Sequence, residues 1–126
     1  MERIRSRRSS SSHLVVHELS LCQAIADTAI AYAGDHPILG VYVQIGYLRQ
    51  VVPDTLRFSW DIVAEGGALK GCELHIDHVP AIVECNSCGA TTKLEQPVRV
   101  CASCHSRDTL LRSGDEFSVV SIDVLE

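Results

Sequence analysis

Four cysteines in two closely spaced pairs carry the clearest chemical signal in the chain. Cys85 and Cys88 form one Cys-x-x-Cys pair, Cys101 and Cys104 form the other, and twelve residues separate the two pairs. Thiolates at this spacing are typical of a tetrahedral zinc site. Such a site is structural, because four protein ligands leave no position for water or substrate. The pattern predicts a bound Zn(II) that contributes about 10 kcal/mol or more to the folding of its loop.

Two disulfides, a redox-active pair and a haem attachment site are the alternative interpretations of these cysteines. Cys101, Cys104 and His105 match the Cys-x-x-Cys-His pattern of haem attachment. Covalent haem attachment accompanies export, however, and the sequence shows no apolar export signal. Met1 is the only methionine, so an axial methionine ligand is also missing. A redox enzyme would need an accessible thiolate of low pKa without zinc. His105 is expected to be solvated, with a ligand role as the alternative.

The charge of the 126-residue chain is distributed unevenly. Residues 1–12 carry four arginines and one glutamate, whereas residues 16–126 carry seven basic and fifteen acidic side chains. The acidic body argues against a protein that binds nucleic acid by neutralising phosphates. No run reaches the ~18 apolar residues that a membrane span needs. With no catalytic constellation apparent in the spacing of side chains, we expect a cytoplasmic binding protein rather than an enzyme.

Two helices and three strands are predicted around the cysteine segment. Ser20 and Gln23 have the spacing of a capping box, which predicts a first helix over 20–33 that ends at Gly34. Pro53 opens a second helix that ends at Gly66. Alternating apolar residues predict strands at about 41–47, 72–79 and 117–125, with a bulge or burial on both faces near residues 119 and 120. Cys22 and Cys72 fall at apolar positions of these elements and are predicted to be buried.

These elements predict an α+β fold with three segments. Residues 1–15 form a disordered head, which differs sharply in composition from the body. Residues 16–80 and 116–126 form one domain, in which two helices pack on a small sheet. Residues 81–115 form an inserted zinc-ribbon-like domain, which has too few large apolar side chains to fold without a metal.

His17 and Glu18 precede the first predicted helix, and the segment around them resembles a known family. Residues 16–25, Val-His-Glu-Leu-Ser-Leu-Cys-Gln-Ala-Ile, resemble the N-terminus of the HypA-type nickel metallochaperones, which begin Met-His-Glu. The resemblance continues in order through residues 45–46, 52–54, 71–74 and 79–81, both cysteine pairs, residues 113–116 and the last strand. It therefore covers residues 16–126, nearly the whole chain.

The resemblance implies a nickel site at the start of the family's chain. In that family the terminal amine, the histidine imidazole and nearby backbone nitrogens bind Ni(II), a donor set that suits square-planar nickel. Carried over, residue 16 supplies the amine, His17 the imidazole, and His17 and Glu18 backbone nitrogens. The implied function is delivery of nickel to the metallocentre of [NiFe] hydrogenase, with a HypB-type GTPase and the hydrogenase large subunit as partners. Delivery toward urease and a zinc-ribbon interaction module are the alternatives, and the chain is expected to be a monomer or a homodimer.

Position 16 departs from the family pattern. It is Val16 rather than methionine, and fifteen residues precede it. An alternative start codon read internally as valine is translated as methionine when it initiates. We therefore expect that the natural chain begins at position 16. If the head is retained, the residue-16 amine becomes an amide, which must lose a proton to bind metal, and nickel affinity at neutral pH should fall. His13 is then the nearest substitute donor upstream of His17.

Overall fold

A computed structural model shows two α-helices and six β-strands. It describes residues 2–126, with side chains from His17 onward. The elements in chain order are α1 Glu2–Ala33, β1 Ile38–Gly46, α2 Pro53–Val63, β2 Glu73–Val79, β3 Ile82–Cys85, β4 Thr91–Lys93, β5 Thr109–Ser113 and β6 Phe117–Val124. Short 3-10 turns cover Tyr47–Arg49 and Gly67–Leu69. The predicted α+β class is confirmed.

Helix α1 begins before the position that the sequence predicted. It spans Glu2–Ala33, so Ser20 lies inside the helix and the capping-box prediction was wrong. Gln23 instead donates a hydrogen bond to the Asp27 carboxylate at 2.9 Å, one turn later, as side chains four apart on a helix do. The predicted end was right, because Gly34 follows at φ +63°. The side chains of the head lie outside the described part, and its disorder stays a prediction.

Helix α2 begins at Pro53 as predicted, ends at Val63, three residues before the predicted end at Gly66, and packs against α1. Pro53 opens it, as expected for a residue with no backbone N–H to satisfy. Its buried face contains Leu56 and Trp60, which are at most 3% exposed. The Trp60 indole N–H donates to the Cys72 carbonyl at 3.1 Å, and the Cys22 thiol donates to the Leu56 carbonyl at 3.4 Å. Cys22 and Cys72 are both buried, as predicted.

The first sheet has three strands in the order β2-β1-β6. Its central strand, β1, buries Val41, Val43 and Ile45 almost completely, in line with the predicted alternation. The burial pattern of β6 changes parity between Val120 and Ser121, one residue after the predicted position.

A second three-stranded sheet, which the sequence did not predict, lies within the cysteine segment. Its order is β4-β3-β5, and both pairings are antiparallel. Ala81, Val83 and Leu94 form a small buried cluster beside it. Three strands of three to five residues are too short to show a period.

Two backbone segments approach closely at a pair of glycines near this sheet. The Leu48 N–H donates to the Gly114 carbonyl at 2.7 Å. A Cβ built on Gly46 would lie 2.2 Å from the Gly114 carbonyl carbon, and one built on Gly114 would lie 2.4 Å from the Ala81 Cα. Gly114 also has φ +116°, a conformation that residues with a Cβ rarely adopt. Only glycine fits at either position.

The chain divides into two compact units. One comprises residues 1–42, 51–75 and 119–126, and the other residues 43–50 and 76–118. The predicted zinc domain, residues 81–115, lies wholly within the second unit, while the exact domain boundaries stay a prediction. Among the described residues, no helix has the length and apolar character needed to cross a membrane.

Candidate metal centres

The four paired cysteines converge on one point in the second unit. Their sulfur atoms all lie within 4.8 Å of one another. The Cys85 and Cys104 sulfurs are 3.6 Å apart, and so are those of Cys88 and Cys101. A tetrahedron with zinc–sulfur bonds of about 2.3 Å has edges of about 3.8 Å. The arrangement therefore fits a four-coordinate zinc ion, and all four thiols are free rather than joined as disulfides.

Each cysteine pair sits in a tight turn of the same design. The Gly89 N–H donates to the Cys85 carbonyl at 2.9 Å, and the His105 N–H donates to the Cys101 carbonyl at the same distance. Gly89 and His105 are equivalent positions, with φ of +80° and +64°. His105 thus adopts a left-handed conformation that costs a residue with a Cβ about 1 kcal/mol or more. It is exposed and lies outside the four-sulfur group.

Polar contacts between the two turns hold the sulfurs together. The Asn86 backbone N–H donates to the Asp108 carbonyl at 2.9 Å, and the Asn86 side-chain amide donates to the Asp108 carboxylate at 3.0 Å. The Ser87 and Ser106 hydroxyls are 3.1 Å apart. These hydrogen bonds join the two turns directly, in addition to the contacts between their sulfur atoms.

The cysteines of the cluster differ in pKa, because each sulfur has a different balance of backbone N–H groups and neighbouring thiols around it. The backbone N–H of Cys104 lowers the pKa of Cys101 to about 6. The backbone N–H of Cys88 lowers the pKa of Cys85 in the same way. For Cys104 the Ser106 N–H lowers the pKa, but neighbouring thiols and burial raise it by more, to about 12. A metal that binds four thiolates must displace the Cys104 proton, so metal affinity should fall as pH falls.

The two remaining cysteines do not have the properties of redox thiols. Burial raises the pKa of Cys22 to about 12 and that of Cys72 to about 11, with smaller contributions from Glu18 and Glu73 respectively. A reactive cysteine needs a lowered pKa and access to solvent.

The predicted nickel residues lie on helix α1 and face different surroundings. The His17 side chain is exposed, whereas Glu18 is only 1% exposed. One Glu18 carboxylate oxygen accepts a hydrogen bond from the backbone N–H of Val52, the N-cap of α2, at 3.1 Å. The other, Oε1, has no hydrogen-bond partner among the described residues. The Val16 side chain lies outside the described part.

The role of the Glu18 side chain was missed in the sequence. Only its backbone nitrogen was assigned a role, since an acidic residue near a helix start suits the helix dipole in solvent. The helical spacing does contain a signal: Glu18 lies four residues before the buried Cys22 and seven before the buried Ile25, on one face.

We expect Glu18→Ala to lower the free energy of unfolding by about 1–3 kcal/mol, because the hydrogen bond from the Val52 N–H to the buried Glu18 carboxylate would be lost. Glu18→Gln keeps an acceptor oxygen and should cost less. Urea denaturation followed by Trp60 fluorescence measures both. Equal losses for the two variants would show that the Val52 hydrogen bond is not what Glu18 contributes.

Comparisons with known proteins identify the family. The family model described as "Hydrogenase/urease nickel incorporation, metallochaperone, hypA" matches residues 16–124. The hydrogenase maturation factor HybF of Salmonella typhimurium is 37% identical over 112 residues, which covers 86% of this chain and 99% of that protein. The hydrogenase maturation factor HypA of Trichormus variabilis is 34% identical over 111 residues, covering 88% and 97%.

A solved structure shares the fold. The solution structure of the Ni metallochaperone HypA from Helicobacter pylori superposes with a TM-score of 0.58 at 23% identity, and covers 86% of this chain and 97% of that one. The sequence resemblance across residues 16–126, the four-sulfur cluster and this fold agree with one another. The chain belongs to the HypA family of hydrogenase and urease nickel-incorporation metallochaperones.

Proposed function

We propose that this chain binds Ni(II) at residues 16–18 and delivers it for assembly of the [NiFe] hydrogenase metallocentre. The observation that carries the proposal is the family match, which begins at residue 16 with the Val-His-Glu segment. The exposed His17 imidazole is free to bind a metal, while the buried Glu18 carboxylate holds the neighbouring residue in place. In this proposal Glu18 contributes its backbone nitrogen, and its carboxylate is a positioning group.

The start of the chain determines whether the backbone nitrogens can take part. In a helix that begins at Glu2, the N–H groups of His17 and Glu18 lie within the helical hydrogen-bond ladder. In a chain that begins at residue 16, they belong to the first four N–H groups, which have no partner inside the helix. The terminal amine would also be free. This supports translation from position 16 as the form that binds nickel.

The four cysteines, in this proposal, hold a structural Zn(II). The sulfur separations match the edges of a zinc–thiolate tetrahedron, and all four donors are protein groups. Zinc would then maintain the second unit. We propose that the chain itself catalyses no reaction, acts in the cytoplasm, and works with a HypB-type GTPase and the hydrogenase large subunit, with no nucleic acid or membrane partner. Urease is the alternative client, which the family description includes.

Calorimetric titration of Ni(II) into zinc-loaded protein tests the nickel site. A chain that starts at residue 16 as methionine should bind one nickel ion, and His17→Ala should weaken binding by about a hundredfold, or roughly 2.7 kcal/mol, because the imidazole is lost. His78→Ala removes another exposed histidine and should leave the affinity unchanged. The full chain should bind more weakly than the short one.

Two results would contradict the proposal in different ways. Equal nickel affinity of the full and short chains would show that the free amine is not a ligand. Absence of nickel binding by either chain, with zinc still in place, would favour a zinc-ribbon interaction module. The intact mass of the native protein, measured by mass spectrometry, identifies the residue at which translation starts. A peptide from residues 1–15 in that protein would overturn the start-site hypothesis.

A further inference from the structure

The first sheet carries a group of side chains that the proposed function does not use. They are Tyr42 on β1, Glu73 and His75 on β2, and Asp123 on β6, and all four belong to the first unit. Glu73, His75 and Asp123 are exposed. The three strands contain no lysine or arginine. They therefore present an imidazole and two carboxylates with no fixed positive charge from the strands themselves.

Tyr42 orients two of these side chains. Its ring stacks on the His75 imidazole, with ring centroids 4.5 Å apart and an angle of 10° between the planes. Its hydroxyl donates a hydrogen bond to the Asp123 carboxylate at 2.8 Å. Because one side chain contacts both groups, it fixes the imidazole and the carboxylate relative to each other. Contacts of this kind orient the ligands of metal sites.

Gly40 leaves an open space between His75 and Asp123. It lies on β1, the central strand, with β2 on one side and β6 on the other. A Cβ built on Gly40 would lie 3.6 Å from His75 Nε2 and 3.5 Å from Asp123 Oδ2. A nitrogen donor and an oxygen donor thus approach one point from the two neighbouring strands. Any larger residue at position 40 would fill that space.

The donor atoms on β2 are separated as two ligands of one ion are. His75 Nε2 and Glu73 Oε1 are 3.3 Å apart. Two atoms bound about 2.1 Å from the same ion are about 3.0–3.4 Å apart, in octahedral or tetrahedral geometry. Asp123 is exposed, so a rotation of its carboxylate toward Gly40 supplies the third ligand. Water completes the coordination, because the site is open to solvent.

We propose that His75, Glu73 and Asp123 bind a divalent first-row transition-metal ion above Gly40. One imidazole nitrogen and two carboxylate oxygens are donors that ions such as Ni(II), Co(II) and Zn(II) accept. The ion binds the neutral imidazole through Nε2, and the two carboxylates offset its charge. This site shares no residue with the four-cysteine cluster or with residues 16–18, and it does not depend on the proposed function.

The exposure of the ligands determines the strength to expect. The side chains of His75 and Glu73 are 44% and 76% exposed, so water competes for the metal and salt screens the carboxylate charges. The cysteine cluster, by contrast, offers four protein donors. We therefore expect a weak, reversible site that fills only after any tighter site is occupied.

An NMR titration of Ni(II) into the zinc-loaded, ¹⁵N-labelled full chain tests the proposal. The chain carries His17→Ala, which removes the imidazole of the proposed delivery site. Octahedral Ni(II) has unpaired electrons and broadens the signals of nearby nuclei. The backbone signals of Gly40, Tyr42 and His75 should therefore lose intensity together as nickel is added. If these signals keep their intensity while others broaden, the proposal is overturned.

Two substitutions change the site in different ways. His75→Ala removes the only nitrogen donor and should weaken nickel binding there at least about tenfold. Gly40→Ala keeps every donor but fills the space beside the ion, and should weaken binding to a similar degree. Its Cβ would make only ordinary van der Waals contacts, so the fold should be kept, which the NMR spectrum without nickel verifies.

His36→Ala is the matched control, because it removes another exposed histidine. It should leave the broadening at Gly40 and Tyr42 unchanged. If His75→Ala or Gly40→Ala also leaves that broadening unchanged, Glu73 and His75 form only a surface ion pair and the proposal is overturned. Because every sample lacks the His17 imidazole, failure here is distinct from failure of the nickel site at residues 16–18.

Discussion

Cys101→Ala should abolish zinc binding and unfold the second unit. Cys101 is fully buried, and its sulfur belongs to the four-sulfur cluster. A zinc site with four thiolates contributes about 10 kcal/mol or more to the folding of its domain, which is comparable to the whole stability of a small domain. With only three thiolates, one of the four coordination positions of the zinc ion would have no protein ligand. Elemental analysis of the purified protein and thermal unfolding measure the loss.

Cys72→Ala is the matched control for that substitution. Cys72 is also a buried cysteine, but it belongs to the first unit and is not a member of the four-sulfur cluster. The variant should keep one zinc per chain and lose only about 1 kcal/mol, as expected for removal of a small buried group. A Cys101→Ala protein that retains zinc and unfolds like wild type would show that the cluster is not a metal site.

Gly114→Ala should lower the free energy of unfolding by about 3–5 kcal/mol. The new Cβ would lie 2.4 Å from the Ala81 Cα, a backbone atom that cannot move aside alone. The φ of +116° adds strain of about 1–3 kcal/mol for any residue with a Cβ. Urea denaturation measures the change.

Gly66→Ala is the control for the glycine prediction. Gly66 has φ −147°, an extended conformation that alanine adopts readily, and a Cβ built on it meets nothing within 4 Å. Its stability should stay within about 0.5 kcal/mol of wild type. If Gly114→Ala is equally neutral, the close approach of residues 46, 81 and 114 does not constrain the fold.

Features with strong local signals could be predicted from the sequence. The spacing of the two Cys-x-x-Cys pairs predicted that their four sulfurs meet at one metal site. This signal is local, because the turn that carries each pair of ligands sets the spacing between them. Helix α2 has a clear start signal and strand β1 a clear period, and both elements are present with ends within three residues of the prediction. The burial of Cys22 and Cys72 followed from their apolar positions in the first predicted helix and in the predicted strand at about 72–79.

Features that depend on distant residues could not be predicted. Ser20 and Gln23 have the spacing of a capping box, but the same spacing also occurs inside helices, and the chain upstream decides which applies. Burial of a carboxylate such as that of Glu18 requires a donor 34 residues away. The strands of the second sheet are paired by contacts between segments, and their three to five residues are too few to show a period.

The anchoring of Glu18 limits how far the proposed nickel ligands, residues 16–18, can move. Its carboxylate accepts a hydrogen bond from the N-cap of α2, and Val16 lies only two positions before Glu18. Two residues of extended chain reach at most about 7 Å. A metal bound by residues 16–18 would therefore stay within a few ångströms of the start of α2 and could not move across a wide gap to an acceptor. If the chain delivers nickel as proposed, the receiving protein would have to bring its own ligands to the surface of the helix pair.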